Sequence, residues 1–336
     1  MTAFLKTLTG TVALAIVVTC PMTERVSAAE MIRIVEQFGT IYLPLHVIRD
    51  QKLIQRHAAE AGIGDVNVEW AQLSGGAAVN DALLSGNIDI AAAGIGPFLT
   101  LWDRTGGEVK VIGGLANQPN YLVSSRPDIQ SLEDFGPEDR IALPAVGVSV
   151  QARILQMASE KAFGEGEHGR LDNNTVSLPH PDATAALLSG STEIAAHLSN
   201  SPFQERALES PRVHRIFSSY DVLGGPVTPT YVYASTDFHD ENPKLFQAFF
   251  EAFQEASAWI GEHPAEAAET YVRVTNSSLE PAFVQSLIEA PGTQYTLVPA
   301  GSYQFADFLY RIGAIRTKAA DWKEFTFEEL HNEEGN

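Results

Sequence analysis

Two copies of one short pattern organise this chain: ALLSGNIDIAA at residues 82–92 and ALLSGSTEIAA at residues 186–196. An alanine-rich stretch with helical spacing precedes each copy, and a Pro-Phe dipeptide follows each, beginning at Pro97 and at Pro202. Each copy predicts a helix that ends at a glycine able to adopt the left-handed conformation, Gly86 or Gly190, and then a short strand. Chance rarely produces such a repeat, so the pattern predicts two equivalent helix–strand units.

The strand of each copy opens into small residues, Gly94-Ile95-Gly96 in the first and Ser199-Asn200-Ser201 in the second. In open α/β sheets, ligands bind beyond the carboxyl ends of the strands, where such loops leave backbone groups free. We therefore expect an α/β protein of two lobes that face each other across a binding cleft.

The rest of the chain alternates strand-like and helix-like runs in the same way. Runs rich in β-branched and aromatic residues predict strands at 31–36, 66–73, 109–115, 121–124, 140–143, 175–178, 212–217 and 230–234. Apolar residues at three- and four-residue spacing predict helices at 44–59, 149–163, 243–261, 264–274 and 303–312.

Two extended segments rich in turn residues, 117–124 and 224–234, flank the second copy and predict the two strands of a hinge. The predicted organisation has one lobe at 30–118 plus 234–325 and a second lobe, with the hinge strands, at 119–233. Residues 326–336 are predicted to form a polar tail.

The N-terminus has the three parts of a secretory signal peptide: Lys6, an apolar run at 11–19, and the small-residue sequence Val26-Ser27-Ala28-Ala29. The predicted leader is residues 1–28, with cleavage after Ala28; cleavage after Ala29 is the alternative. Cys20 is the other alternative, as a lipid-attachment site, but Thr19 stands before it where lipoprotein signals have a smaller residue. The apolar run is shorter than the roughly 20 residues that span a bilayer, so a soluble, periplasmic protein is expected.

Composition excludes several classes of protein. The chain carries a net charge of −20, which disfavours binding to nucleic acid and to anionic lipid. Its one cysteine lies in the predicted leader, so neither disulfides nor thiolate metal sites are expected. The histidines show no metal spacing, and no nucleophile elbow, HExxH motif or phosphate loop is present. We expect no catalytic residues, no cofactor and no metal.

The order of elements resembles the nitrate/sulfonate/taurine class of periplasmic solute-binding proteins of ABC importers. The resemblance runs from about Ile32 to Trp322 and is clearest in IRIVEQFGTIYLPLHVIRDQKLIQRH and VEWAQLSGGAAVNDALLSGNIDIAAAGIGPFL, at 32–57 and 68–99. The segments TYVYASTDFHDENPKLFQAFFEAFQEASAWI, at 230–260, and PAEAAETYV, at 264–272, are similarly typical. The resemblance implies a type II periplasmic-binding fold, a monomer that binds a small molecule, and delivery of cargo to a membrane permease.

That family has an enzyme branch, the hydroxymethylpyrimidine-precursor synthases, which use lysine-bound pyridoxal phosphate and a cysteine-rich motif. The motif is missing from this sequence, and Lys52 is interpreted as a solvated helix end. A role in signalling rather than transport is a third possibility that the sequence leaves open.

Candidate cargo residues in the first lobe follow the predicted strand ends: Phe38, Gly39, Ser74, Gly75, Gly94 and Ile95. Ser74-Gly75-Gly76 leads into a helix, whose first N–H groups can hold an anion; the alternative is an ordinary helix cap. Tyr42 is a candidate for stacking on an aromatic cargo or, alternatively, a core residue.

In the second lobe the candidates are Val148, Ser149, His180, His197 and Asn200. The repeat places the two histidines where the first copy has Gly76 and Ala93, so the copies differ where a cleft is expected. Each histidine is either a hydrogen-bond donor to cargo or a packed core residue. The predicted cargo is a small organic anion, a sulfonate or a carboxylate; the alternative is a pyrimidine-like or other aromatic heterocycle.

Overall fold

The computed structural model describes residues 30–190 and 193–336. The predicted leader, with Cys20 and the cleavage site after Ala28, lies outside the described residues. Within the described part, the helices are too short or too polar to cross a membrane.

Two five-stranded sheets form the frame of the molecule. The first sheet has the strand order β2-β1-β3-β10-β4, and the second has the order β7-β6-β8-β5-β9. The strands are β1 (Glu30–Glu36), β2 (Val66–Gln72), β3 (Ile90–Gly94), β4 (Val109–Ala116), β5 (Tyr121–Ser124), β6 (Arg140–Leu143), β7 (Thr175–Ser177), β8 (Ile194–Leu198), β9 (His214–Ser218) and β10 (Thr230–Ser235).

The two sheets have the same topology. In each, four strands run in one direction, and the fifth, β10 between β3 and β4 or β5 between β8 and β9, is antiparallel to its neighbours. The repeat strands β3 and β8 thus occupy the same central place in separate sheets, as the repeat predicts.

Helices cover the sheets. Those that pack with the first sheet are α1 (Leu43–Gln51), α2 (Leu53–Glu60), α3 (Gly76–Leu84), α4 (Ile95–Arg104), α9 (Thr236–Glu241), α10 (Pro243–Glu262), α11 (Pro264–Thr275), α12 (Pro281–Ile288) and α13 (Ser302–Arg311). Those of the second lobe are α5 (Val150–Phe163), α6 (His180–Ser189), α7 (Phe203–Leu208) and α8 (Ser219–Leu223). Both predicted helix-ending glycines are left-handed, with φ 68° at Gly86 and φ 64° at Gly190.

The first lobe has the larger core because the long helix α10 buries one whole face. Its buried residues recur at helical spacing and include Phe246, Phe249, Phe250 and Phe253. β3 lies at the centre of the sheet and is buried along its whole length, so it reads as a continuous apolar run rather than an alternating one. This rigid lobe holds the strand ends of β1 and β3 in fixed positions.

Three sequence expectations about the first lobe need correction. The single helix predicted at 44–59 is two helices, because Lys52 adopts a left-handed conformation with φ 53° between α1 and α2. Residues 230–233 were expected in the second lobe, but β10 pairs with β3 and β4 in the first sheet. The predicted polar tail instead packs on the lobe: Thr326, Phe327 and Leu330 are buried.

The crossings between the lobes are shorter than the predicted hinge strands, since β5 and β10 each belong to a sheet. The chain crosses at residues 117–120 and returns at 224–229. A hydrogen bond from Thr228 Oγ1 to Asn117 Oδ1, at 2.6 Å, joins the two crossings. The two lobes are therefore connected by a narrow, cross-linked pair of segments about which they can rotate.

Candidate functional site

A small cavity lies between the lobes, where the carboxyl ends of the strands of both sheets meet. Its volume is ≈ 30 Å³. Residues of both lobes line it: Gln37, Phe38, Tyr42, Ser74, Gly76, Gly94, Pro97 and Thr230 from the first, and Pro144, Ser149, Val150, Gln151, His180 and Asn200 from the second.

Four helices begin at this cavity. Gly76 is the first residue of α3 and His180 the first of α6, while Gly94 and Ser149 are the N-cap residues of α4 and α5. The first N–H groups of a helix have no intrahelical partner, and the helix dipole makes that end positive. The lining contains no Asp, Glu, Lys or Arg among the described residues. The cavity therefore has a positive polarity that comes from the backbone.

On the first-lobe side, the α3 entrance differs from the predicted serine cap. The N-cap residue is Gly75, with φ 84° and a backbone N–H that donates to Gln37 Oε1 at 3.1 Å. Ser74 lines the cavity, and its hydroxyl has no protein hydrogen bond among those of the described chain. This hydroxyl is consequently available to a bound molecule.

The end of β1 brings the first lobe into direct contact with the second. Asn200 Nδ2 donates to the Phe38 carbonyl at 3.0 Å, and the Thr40 N–H donates to the Ser201 carbonyl at 2.9 Å. Gly39 has φ 130°, and a Cβ there would lie 2.6 Å from Asn200 Nδ2. Glycine is thus required twice, for its backbone conformation and for the close approach. These contacts identify the conformation as the closed one.

Tyr42 is a core residue that also reaches the cavity. It lines the cavity although only 4% of its surface is exposed. Burial, and then the negative charge of Glu36, raise the pKa of Tyr42 far above its ordinary value. The phenol therefore stays protonated and neutral, and it is hydrogen-bonded to Thr230, another residue of the lining.

On the second-lobe side, Ser149 caps α5. Its Oγ accepts from the Ala152 N–H at 3.2 Å and donates to the Ala145 carbonyl at 2.7 Å. The neighbouring Val148 does not line the cavity; its carbonyl faces Gly96 of the opposite lobe. The Ser149 hydroxyl is thus committed to the helix end, unlike that of Ser74.

The two histidines form a buried pair rather than two separate cargo donors. His180 Nδ1 lies 2.9 Å from His197 Nε2, and His180 Nε2 lies 3.3 Å from Gln151 Nε2. His197 Nδ1 in turn lies 3.4 Å from Thr184 Oγ1. With the Gln151 amide donating to His180, each imidazole carries its proton on Nδ1 and donates away from the cavity.

Both imidazoles are neutral. Burial lowers the pKa of His180 to about 3. Burial, followed by the neighbouring His180, lowers the pKa of His197 well below its usual value. His197 is fully buried and stays out of the cavity lining, so it supports the His180 ring from behind. For His197, these contacts favour the alternative of a packed core residue over that of a donor to cargo.

A family model described as the NMT1-like family matches residues 38–275. The chain belongs to the NMT1-like family. No curated protein sequence matches it.

Solved structures with the same fold cover nearly the whole chain. The alkanesulfonate-binding protein SsuA from Xanthomonas axonopodis pv. citri, bound to MOPS, has a TM-score of 0.69 at 18% identity, over 88% of this chain and 99% of that one. The periplasmic aliphatic sulphonate binding protein SsuA from Escherichia coli has a TM-score of 0.65 at 17% identity, over 91% and 100%. The periplasmic nitrate-binding protein NrtA from Synechocystis PCC 6803 has a TM-score of 0.67 at 14% identity, over 90% and 88%. These likenesses establish the type II periplasmic-binding fold.

Within this NMT1-like chain, the cavity gathers seven of the twelve residues predicted from sequence: Phe38, Tyr42, Ser74, Gly94, Ser149, His180 and Asn200. The other five lie just behind the lining: Gly39, Gly75, Ile95, Val148 and His197. Of the seven lining residues outside that set, three have polar side chains: Gln37, Gln151 and Thr230. Gln37 directly follows β1, and Gln151 lies in the first turn of α5. The rule that strand ends and helix starts line the cleft, which selected Phe38 and Ser149, also applies to these two residues.

The cavity adjoins a much larger space on one side, the interlobe groove, of ≈ 880 Å³. Gln37 and Phe38 line both. The first lobe contributes the end of β1, α1, the end of β2, and α11 with the loop after it; the second lobe contributes α6 and α7. A molecule held in the cavity can therefore extend into the groove.

Proposed function

We propose that this NMT1-like protein is the extracytoplasmic solute-binding component of an ABC importer, and that it captures a small organic anion, a sulfonate or carboxylate, between its lobes. It is a binding protein and not an enzyme. The observation that carries the proposal is the convergence of four helix N-termini on one interlobe cavity, whose lining, in the described part of the chain, has no charged side chain.

The anion preference rests on the electrostatics of that cavity. Oriented backbone dipoles and N–H groups stabilise a negative charge without needing a cation nearby. A neutral lining of amides and hydroxyls, from Gln37, Gln151, Ser74 and Thr230, adds hydrogen bonds. A cation in the same place would face the positive ends of four helices.

The size of the cavity restricts which part of the cargo it holds. A single water molecule needs roughly 10–15 Å³ of such space, and the whole cavity measures ≈ 30 Å³. We infer that the compact anionic head group sits in the cavity and that the organic remainder lies in the interlobe groove. Because both lobes line the cavity, the cargo binds the closed state better than the open one, and so shifts the population towards closure.

Two lines support transport as the role. The fold is that of proteins named as periplasmic sulfonate- and nitrate-binding proteins. The sequence carries a predicted signal peptide at 1–28, which favours the periplasm. A solute-binding protein that closes on its cargo needs a membrane permease as its partner, and we propose a monomer that docks on one.

The test is a thermal-shift screen followed by titration calorimetry. We expect alkanesulfonates or short-chain carboxylates to raise the melting temperature and to bind with one site per chain. Sodium sulfate at equal ionic strength is the control, because sulfate stabilises folded proteins generally. Stabilisation by pyrimidines alone would refute the anion proposal.

One observation favours the heterocycle as a second candidate. Asn200 Oδ1 is buried and has no hydrogen-bond partner in the described chain, although Nδ2 of the same amide binds the Phe38 carbonyl. An unpartnered acceptor at a cavity calls for a donor. A ring N–H would satisfy it, and pyrimidines in the same screen separate the two candidates.

A further inference from the structure

One buried cation lies next to the cavity without reaching it. Arg153, on α5, is 7% exposed and stays out of the cavity lining. Its Nη1 donates to Gln156 Oε1 at 2.9 Å, whereas its buried Nε has no hydrogen-bond partner within the described chain. The ion pairs of the described residues do not include Arg153. Its guanidinium therefore has no carboxylate as a direct partner there.

The burial of Arg153 depends on the closed conformation. A Cβ built at Gly96, on α4 of the first lobe, would lie 3.0 Å from Arg153 Cγ. Three residues earlier on the same face of α5, Val150 meets Gly94 in the same way, since a Cβ at Gly94 would lie 3.0 Å from Val150 Cβ. Both Val150 and Gly94 line the cavity. Arg153 is therefore attached about one helical turn, roughly 5.4 Å, from the cavity wall, and separation of the lobes uncovers it.

Closing the empty protein leaves this charge poorly compensated. Burial lowers the pKa of Arg153, and the charge of Asp172 opposes that effect. Gln156 bridges the two groups, because it accepts from Arg153 and its Nε2 donates to Asp172 Oδ2 at 3.1 Å. Arginine stays protonated even when buried, and removing its water without supplying a direct carboxylate partner costs free energy. The positive N-terminal ends of α4 and α5 lie beside it and add to this cost.

A bound anion changes this balance. The cavity lies at the same two helix ends, since its lining includes Gly94 and Ser149, the N-cap residues of α4 and α5. Closure excludes water from the contact between the lobes, and charges interact more strongly there than in solvent. A negative head group in the cavity therefore offsets the cost of burying Arg153, whereas a neutral molecule of the same shape does not.

We propose that Arg153 couples the charge of the cargo to closure: it disfavours closing of the empty protein and favours closing around an anion that it does not touch. This rests on the proposed function and adds to it a specificity-determining residue behind the cavity wall. The four helix N-termini hold the head group, and Arg153 makes the closed state depend on the negative charge of that group.

The test removes the charge of Arg153 and keeps its aliphatic volume, in Arg153→Met. The probes are the tightest-binding alkanesulfonate or short-chain carboxylate of the screen and its neutral sulfonamide or amide. In calorimetry, the preference of the wild-type protein for the anion over its neutral analogue should fall roughly five- to thirtyfold in the variant. In small-angle scattering without cargo, the variant should be more compact than the wild-type protein, because its empty closed state no longer buries a charge.

Arg170→Met is the matched control, because Arg170 is an exposed arginine of the second lobe, paired with Glu167, and its loss changes the net charge equally. It should keep the wild-type preference and the wild-type dimensions. If Arg153→Met keeps either of them, the inference is wrong and the anion proposal stands. If the wild-type protein binds no sulfonate or carboxylate, both are wrong.

Two provisions keep the test decisive. Where the neutral analogue binds too weakly for calorimetry, the scattering measurement without cargo decides, and wild-type dimensions in Arg153→Met refute the inference. Should Arg153→Met fold poorly, Arg153→Gln replaces it, because glutamine also removes the charge. The same loss of preference and the same compaction are then expected, and their absence overturns the inference.

Discussion

Adding one methyl group at Gly96 should weaken cargo binding without destabilising the fold. It is the second residue of α4 and faces the second lobe across the cleft. A Cβ built there would lie 2.5 Å from the Val148 carbonyl oxygen and 3.0 Å from Arg153 Cγ. Backbone of the opposite lobe cannot yield locally, so Gly96→Ala should prevent the lobes from closing fully.

The magnitude follows from two opposing effects. In the open state the added methyl meets solvent, and alanine is better than glycine within a helix by roughly 0.5–1 kcal/mol. In the closed state the overpacked contact costs about 1–3 kcal/mol. Since cargo binds the closed state, its affinity should fall roughly five- to 150-fold, while the melting temperature without cargo stays the same or rises.

The assay is titration calorimetry with the cargo found by screening, combined with small-angle scattering to follow closure. Gly261→Ala is the control: this glycine also lies in a helix, α10, and a Cβ there would have nothing within 4 Å. It should leave affinity and closure unchanged. Wild-type affinity and wild-type compaction in Gly96→Ala would refute the idea that the contact with Val148 forms on closing.

Three other substitutions probe the histidine pair, the lobe contact and the tail. His197→Ala should lower the unfolding free energy by about 1–3 kcal/mol, because the His180 Nδ1–H loses its acceptor; an unchanged apo melting curve with abolished binding would contradict this. Arg311→Gln removes the interlobe ion pair with Glu160, at 2.6 Å, and should weaken cargo binding by less than roughly fivefold, by a factor that shrinks with salt in titrations at two ionic strengths. Burial lowers the pKa of His239, but the hydrogen bonds and charges of Asp240 and Glu329 outweigh burial and raise it overall. The protonated imidazole therefore stabilises the fold fully below the unfolded pKa of about 6.5, and this contribution is lost as pH rises through the higher folded pKa. Urea unfolding across that pH window should show the loss of stability, and in His239→Gln this pH dependence should disappear.

The repeat made most of the fold predictable, because its two copies must occupy equivalent positions in the structure, whatever the local helix or strand propensity. Two copies of a helix–glycine–strand unit imply two equivalent sheets, and β3 and β8 indeed occupy the same place in each. The sequence could not show which sheet a strand joins where the chain crosses between the lobes. The composition of β10 predicts a strand but not its partners, and its place between β3 and β4 depends on long-range pairing.

Sequence reasoning located residues of the cavity where backbone position decides, and it missed the interactions between their side chains. Ser74 and His180 were found because strand ends and helix starts meet at one edge of each sheet. The sequence could not reveal that His180 and His197 are bonded to each other, because their contact spans α6 and β8.

The differences between the two repeat copies explain how the two walls of the cavity divide their work. Gly76 and His180 are equivalent first residues of α3 and α6, and both line the cavity. At Gly76 a Cβ would collide with the Pro97 ring, so the first lobe presents backbone there. At His180 the second lobe presents an imidazole, held by His197 where the first copy has only Ala93. Backbone N–H groups bind many anions, whereas a fixed ring excludes shapes that do not fit. Under the proposed function, we therefore expect the imidazole to give the second lobe the larger share of the selectivity.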